Sequence, residues 1–332
     1  MKSLVLTAKA QMKLEDTPLP QLKGNEVRVQ MKYAGICGTD KHLFNGQPGS
    51  AQAVPPIILG HENAGIITEI GSDVQKELTL GQRVSIDPNI PCGYCRYCHE
   101  GRTQLCENNS AIGVTRNGGM AEYVDVPQTN VYPIPDSLSL KAAAMAEPVS
   151  CVVHGIQELT LQAHYTALVI GDGFVGQLFT EYLAKSGLAK VAVSGHNPGK
   201  VALLHSIGAD EVFDPAKDNN DEKFDIVVEC VGLKMTQEQA ITSAAKGGQV
   251  LMFGVANPED QIQVNTFDVY AKELTIKGAF INPHAMAPAL ALLSSKFIDV
   301  EPLITHELTL DQVSDVLAGK IDYKITKAVI KL

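Results

Sequence analysis

At 332 residues, 45% of them apolar and 19% charged, the chain is too long for one typical core and apolar enough to fold, so two domains are expected. The 27 basic and 37 acidic residues leave a net charge of −10, which argues against a nucleic-acid or anionic-membrane partner, since both need concentrated Lys and Arg. No apolar run approaches the ~20 residues of a membrane helix. Lys9 cuts the first apolar stretch short of a secretory signal. A soluble, cytoplasmic protein is expected.

Residues 1–135 hold short apolar runs broken by Gly and Pro, at 26–30, 64–70, 83–87 and 121–126. That texture predicts short strands in a mostly antiparallel or barrel-like body. From about Ser150 strand-like and helical runs alternate: a strand at 166–170, a helix at 175–186, a strand at 191–194 and a helix at 199–207. Further strands follow at 226–230, 249–253 and 274–278. Such alternation predicts a parallel, doubly wound sheet. A helix at 287–293 and a last strand at 328–331 are expected to return to the first body. The fold class is therefore α/β, with a doubly wound domain of residues 151–283 inserted in a mostly β domain of residues 1–150 and 284–332.

Three motifs carry chemistry. Cys92, Cys95, Cys98 and Cys106 form C-x2-C-x2-C-x7-C in a lobe at 88–108. Four thiolates so spaced can close a tetrahedron on one zinc ion, and a closed four-sulfur site is structural. Upstream, Gly35-Ile36-Cys37-Gly38-Thr39-Asp40-Lys41-His42 and Gly60-His61-Glu62-Asn63-Ala64-Gly65 offer a thiolate, an imidazole and a carboxylate. These are the ligand types of an open, catalytic zinc, although spacing alone leaves metal binding and ordinary packing equally open. In the second half, Gly171-Asp172-Gly173-Phe174-Val175-Gly176 follows a strand and opens a helix, the context a dinucleotide-binding G-x-G-x-x-G requires. Gly171 makes the turn, Gly173 admits the pyrophosphate, Gly176 lets helix meet strand, and the helix N-terminus at Phe174 and Val175 faces the phosphates.

Taken in order, with Gly71 and Val74 after the His-Glu motif, these segments resemble the zinc-containing medium-chain alcohol dehydrogenase family over nearly the whole chain. The resemblance implies a Rossmann domain inserted in a GroES-like catalytic domain. It implies Cys37 and His61 as catalytic zinc ligands, with Glu62 and Glu147 as alternative third ligands. Cys151 is a weaker alternative. Asp40 would orient His61, and Thr39 and His42 would relay the substrate proton. Alcohol dehydrogenases proper carry a Cys where this chain has Glu147, so the chain looks more like the polyol, polyol-phosphate and threonine dehydrogenase branch.

The resemblance also places Gly195 where an acidic residue ordinarily accepts the adenosine ribose. Ser194, His196 and Lys200 could instead donate to a 2′-phosphate, which points to NADP or dual use; alternatively Asn197 or backbone groups hold an ordinary NAD ribose. Cys230 and Val255 end later strands beside the ligand crevice. Phe280 and Asn282 resemble the segment that meets the nicotinamide amide, and Lys327 matches a pyrophosphate-binding position.

Sorbitol-oxidising relatives carry Arg-Tyr where this chain has Ile281-Asn282, which speaks against free sorbitol itself. Lys41 and Arg116 are either phosphate-recognising residues or solvated loop cations. The expected activity is reversible oxidation of a secondary hydroxyl of a polyol or polyol phosphate, with L-threonine or another small secondary alcohol as the alternative. A nicotinamide-binding redox sensor is the non-enzymatic reading. A homodimer or homotetramer is expected.

Overall fold

The computed structural model describes residues 1–218, 220–321 and 325–332. The chain divides into two compact units, one of residues 1–150 with 281–332, the other of residues 151–280. No described helix is long and apolar enough to cross a membrane.

The first unit is built on strand Glu26–Ile36, whose residues are mostly buried because it runs through the interior of its sheet with strands paired on both sides. It pairs antiparallel with Glu62–Ile70, Tyr123–Pro127 and Ala328–Lys331. The sheet continues through Arg83–Ile86 and Val131–Pro133 on one side and His306–Leu308 on the other. A second sheet joins Gln11–Asp16, Lys2–Ala8 and Ile57–Ile58. The core between them gathers Leu4, Leu6, Val27, Val29, Met31, Ile67, Val84, Ile86 and Met120. The antiparallel, barrel-like body read from the sequence is present, with a first strand at Lys2–Ala8 as the N-terminal segment suggested; its hairpin partner Gln11–Asp16 is an addition.

The second unit is a six-stranded sheet, parallel throughout. Its order is Glu211–Phe213, Lys190–Ser194, Thr166–Ile170, Phe224–Glu229, Ala244–Met252, Thr275–Gly278. Reading outward from the first strand, this is the 3-2-1-4-5-6 order of dinucleotide-binding folds. Val and Ile fill its central strands because helices cover both faces. Strand Glu211–Phe213, only three residues long, escaped the sequence reading. The predicted helix at 199–207 is split: a 3-10 turn at Pro198–Lys200, capped by Asn197, precedes helix Val201–Ser206.

Candidate metal centres and dinucleotide cradle

Cys37 ends the long Glu26–Ile36 strand and caps helix Gly38–Phe44. His61 immediately precedes the neighbouring strand and Glu62 begins it, with Gly35 directly opposite Glu62 in the ladder. A Cβ on Gly35 would fall 1.7 Å from Glu62 Oε2, so only glycine leaves room for that carboxylate. Ladder and cap together bring ligand atoms of Cys37, His61 and Glu62 within 4.8 Å of one another.

Asp40, fully buried, organises this corner. One carboxylate oxygen accepts the Cys37 backbone N–H at 2.8 Å, and the other lies 3.5 Å from His61 Nδ1. Burial disfavours a charged His61, but Asp40 and then Cys37 outweigh it and hold the imidazole well above its usual range. A cation on the other ring nitrogen would take the place of that proton. His61 Nδ1 and Asp40 Oδ1 have no hydrogen-bond partner among the described residues. A buried pair left at this distance, beside a thiol and a carboxylate, suits a site completed by a divalent metal.

Two sequence expectations meet different surroundings. Glu147, buried in the first turn of helix Ala146–Gln157, is not part of the three-residue cluster. Lys327, matched by resemblance to the pyrophosphate, is instead 4% exposed with its ammonium on both Glu62 oxygens and the Ile36 carbonyl. Burial alone would lower its pKa, yet Glu62, Cys37 and Glu147 raise it. The cluster thus carries its own counter-charge.

Thr39 and His42 lie three residues apart on helix Gly38–Phe44, hence on one face. No hydrogen bond joins them in this structure. Lys41 is exposed. Arg116 is committed to Glu26 at 2.6 Å, which removes it from the phosphate-recognising candidates.

The four-cysteine lobe converges as its spacing predicts, with the sulfurs of Cys92, Cys95, Cys98 and Cys106 within 4.8 Å of one another. Gly93 and Gly101 adopt φ of +81° and +75°, the turns the lobe needs. Backbone N–H groups point at sulfur. Those of Cys98 and Glu107 draw the Cys95 thiol down to about 6, whereas burial pushes Cys98 up to about 12. One cation held by four thiolates resolves that conflict, so the lobe fits a structural zinc.

In the second unit Gly171 takes φ +116°, and a Cβ on Gly176 would meet the Gly171 carbonyl at 2.0 Å. Gly173 caps helix Phe174–Lys185 without a side-chain bond and has open space where a Cβ would go. The N-terminal N–H groups of this 12-residue helix, which has no side-chain cap, make a cradle fit for a pyrophosphate. Ser194 is 2% exposed and its carbonyl accepts the Gly171 N–H. His196 and Lys200 are paired with Asp214 and Asp172. Cys230 follows its strand, its thiol pushed well above the usual range by burial and by Glu229. Val255 and Phe280 are exposed.

Sequence reasoning missed two carboxylates here. Glu229 is fully buried and accepts the N–H groups of Val231 and Gly232 and the Thr236 hydroxyl, which shapes the Cys230–Gly232 turn. Asp172 sits inside the glycine motif and reaches the end of the next strand. An acidic residue between two motif glycines was the available signal.

Asn282 belongs to the first unit. Its side chain accepts from Asn89 and donates to Ser150, and more distantly to Asp87. It stands between Ile281 and His284, which take φ of +50° and +55°. For a β-branched residue that conformation is strained, and the buried amide is what pins the turn.

Comparison with known proteins agrees with this geometry. The profile of the alcohol dehydrogenase GroES-like domain matches residues 23–136, and that of zinc-binding dehydrogenases matches residues 175–295. An L-threonine 3-dehydrogenase of Rhizobium etli is 33% identical over 95% of this chain and 94% of its own. A sorbitol dehydrogenase of Bacillus subtilis is 29% identical over 98% of this chain and 94% of its own. A structure described as a zinc-binding dehydrogenase of Sinorhizobium meliloti, bound to NADP, superposes with a TM-score of 0.95 at 31% identity, covering 100% of this chain and 99% of that one. With two domain profiles in tandem and a 33% identical relative matched over nearly the whole chain, the chain belongs to the zinc-dependent alcohol dehydrogenase family and is an NAD(P)-dependent oxidoreductase.

Proposed function

We propose that this enzyme reversibly oxidises a secondary hydroxyl of a small polyol, or of its phosphate, to a ketone. The observation that carries the reading is the grouping of half-buried Cys37 with buried His61 and Glu62, with Asp40 behind it and Thr39 and His42 on the adjoining helix. When bound, zinc would supply Lewis acidity at the substrate oxygen and a nicotinamide dinucleotide would supply the hydride acceptor. The chain's own residues do the rest. Cys37, His61 and Glu62 would hold the metal, and Asp40, 3.5 Å from Nδ1, would orient the His61 ring. Lys327 balances the charge of Glu62. Thr39 Oγ1 takes the hydroxyl proton, and His42 passes it to solvent.

A polar substrate is supported by the scarcity of aromatic residues, 5% of the chain, and by the sorbitol dehydrogenase relative. With Arg116 tied to Glu26, Lys41 is the cation left to meet a substrate phosphate. A second reading, L-threonine, is favoured by the 33% identical relative. The test is a panel of polyols, polyol phosphates, 2,3-diols and L-threonine with NAD and NADP. The expected result is the highest kcat/KM on a polyol or its phosphate. A tenfold or greater advantage for L-threonine would replace this reading with the second. We place the enzyme in the cytoplasm, whose reducing conditions leave seven free cysteines unoxidised. We also propose a homo-oligomer joined through the exposed edge strand Thr275–Gly278.

A further inference from the structure

Gly195 follows strand Lys190–Ser194, at the position from which a carboxylate ordinarily accepts the ribose hydroxyls of an adenine dinucleotide. Glycine supplies none. We infer that Asp172, projecting from the glycine-rich loop of the neighbouring strand, provides that carboxylate and selects NAD over NADP. The inference rests on the dehydrogenase reading and names a determinant of its cofactor.

The geometry is specific. A Cβ built on Gly195 would lie 2.7 Å from Asp172 Cβ, 2.8 Å from its Oδ2 and 3.0 Å from its Cγ. The Asp172 carboxylate therefore fills the space in which a side chain at 195 would begin, and the two cannot coexist. Its position is fixed from several directions. Oδ2 accepts the Asn197 N–H at 2.8 Å, and Oδ1 accepts from Lys200 Nζ at 3.2 Å. The Asp172 carbonyl accepts from Lys200 Nζ and from Gln177 Nε2. Each carboxylate oxygen has two lone pairs and spends one on these contacts, which leaves one apiece for a vicinal diol.

Charge argues in the same direction. A 2′-phosphate needs unmatched cations, preferably arginine. Here Lys200 is matched by Asp172, and His196 Nδ1 faces Asp214 Oδ1 at 3.0 Å. Asp214 also takes Lys217 Nζ at 2.8 Å. A phosphate arriving at this corner would meet the Asp172 carboxylate with no free cation among the described residues to offset it, whereas two hydroxyls would meet an acceptor.

The test is a titration of the metal-loaded protein with NADH and with NADPH, followed by nicotinamide fluorescence without any alcohol substrate. Wild type is expected to bind NADH about tenfold or more tightly than NADPH. Asp172→Asn keeps the size of the side chain and an acceptor for Asn197. It should weaken NADH by about tenfold, the worth of hydrogen bonds to a charged acceptor, and leave NADPH equal or tighter. The double variant Asp172→Ala with Gly195→Asp returns a carboxylate to the strand and should restore the NADH preference. Melting curves on both variants confirm folding. An NADH to NADPH ratio in Asp172→Asn within twofold of wild type would overturn the assignment, as would tighter NADPH binding by wild type. Failure of every polyol in the activity panel leaves this measurement intact, because no substrate enters it. A protein that binds neither dinucleotide would remove both readings.

Discussion

Asp87 ends the run from Arg83 to Ile86 and sits half-buried under the turn held by Asn282. Burial pushes its carboxyl up to about 6, against the pull of the Asn89 N–H, Asn282 and His284. Its native pKa is above the unfolded one, so the native state keeps the proton to higher pH. Stability from this group is full below the usual carboxylate range and is lost as pH rises from about 4 to about 6. The shift corresponds to roughly 2–3 kcal/mol. Asp87→Asn can still accept from Asn89 and Asn282. It should therefore gain about that much over wild type at pH 8 and nothing at pH 4, read from denaturant midpoints at both pH values. Equal gains at both would show that the carboxyl does not titrate in this range.

Helix Gly38–Phe44 is two turns long and owes its place to the Cys37 cap and to buried Leu43 and Phe44. It sets Thr39 and His42 on one face, so the proposed relay depends on the element as much as on either residue. Thr39→Ala should lower kcat by about 10²-fold with zinc content unchanged, while Thr39→Ser keeps most of the activity. Equal losses in the two variants would point to packing instead, since Thr39 Cγ2 lies against Gly49. The cysteine lobe is an element of another kind, since its short helix Arg96–His99 and 3-10 turn Thr103–Leu105 have too few residues to stand alone. Cys98→Ser should cut bound zinc from about two ions per chain to about one and make the segment 88–108 sensitive to protease. Retention of both ions would contradict a four-thiolate site.

At the scale of the whole molecule, strand Thr275–Gly278 is one of the two edges of the six-stranded sheet among the described residues and is exposed at every residue. Phe267 and Tyr270, on the preceding helix, are 68% and 79% exposed with their rings 6.3 Å apart. An open edge beside exposed aromatic surface is what the proposed second copy would cover. Ile276→Lys should convert the proposed oligomer to monomer in sedimentation. Wild type sedimenting as a monomer would remove the interface.

Much was readable in one dimension because it depends on local chemistry. The thiol spacing of Cys92 to Cys106, the glycine turn at Gly171, and the strand-to-helix alternation after Ser150 each act within a few residues of themselves. The short strand Glu211–Phe213 and the break before Val201 left too little periodicity to register. Partners distant in sequence were of a different order. That Lys327 meets Glu62, that Arg116 is spent on Glu26, that Asn282 locks to Asn89 and Ser150, and that Asp172 reaches the space beside Gly195 all follow from ladder register and close approach. The sequence by itself determined which chemistry the chain could support, because ligand type and turn geometry belong to residues and their near neighbours. Only the tertiary structure decided which charges remain available for it, because pairing depends on which side chains folding brings within a few ångströms.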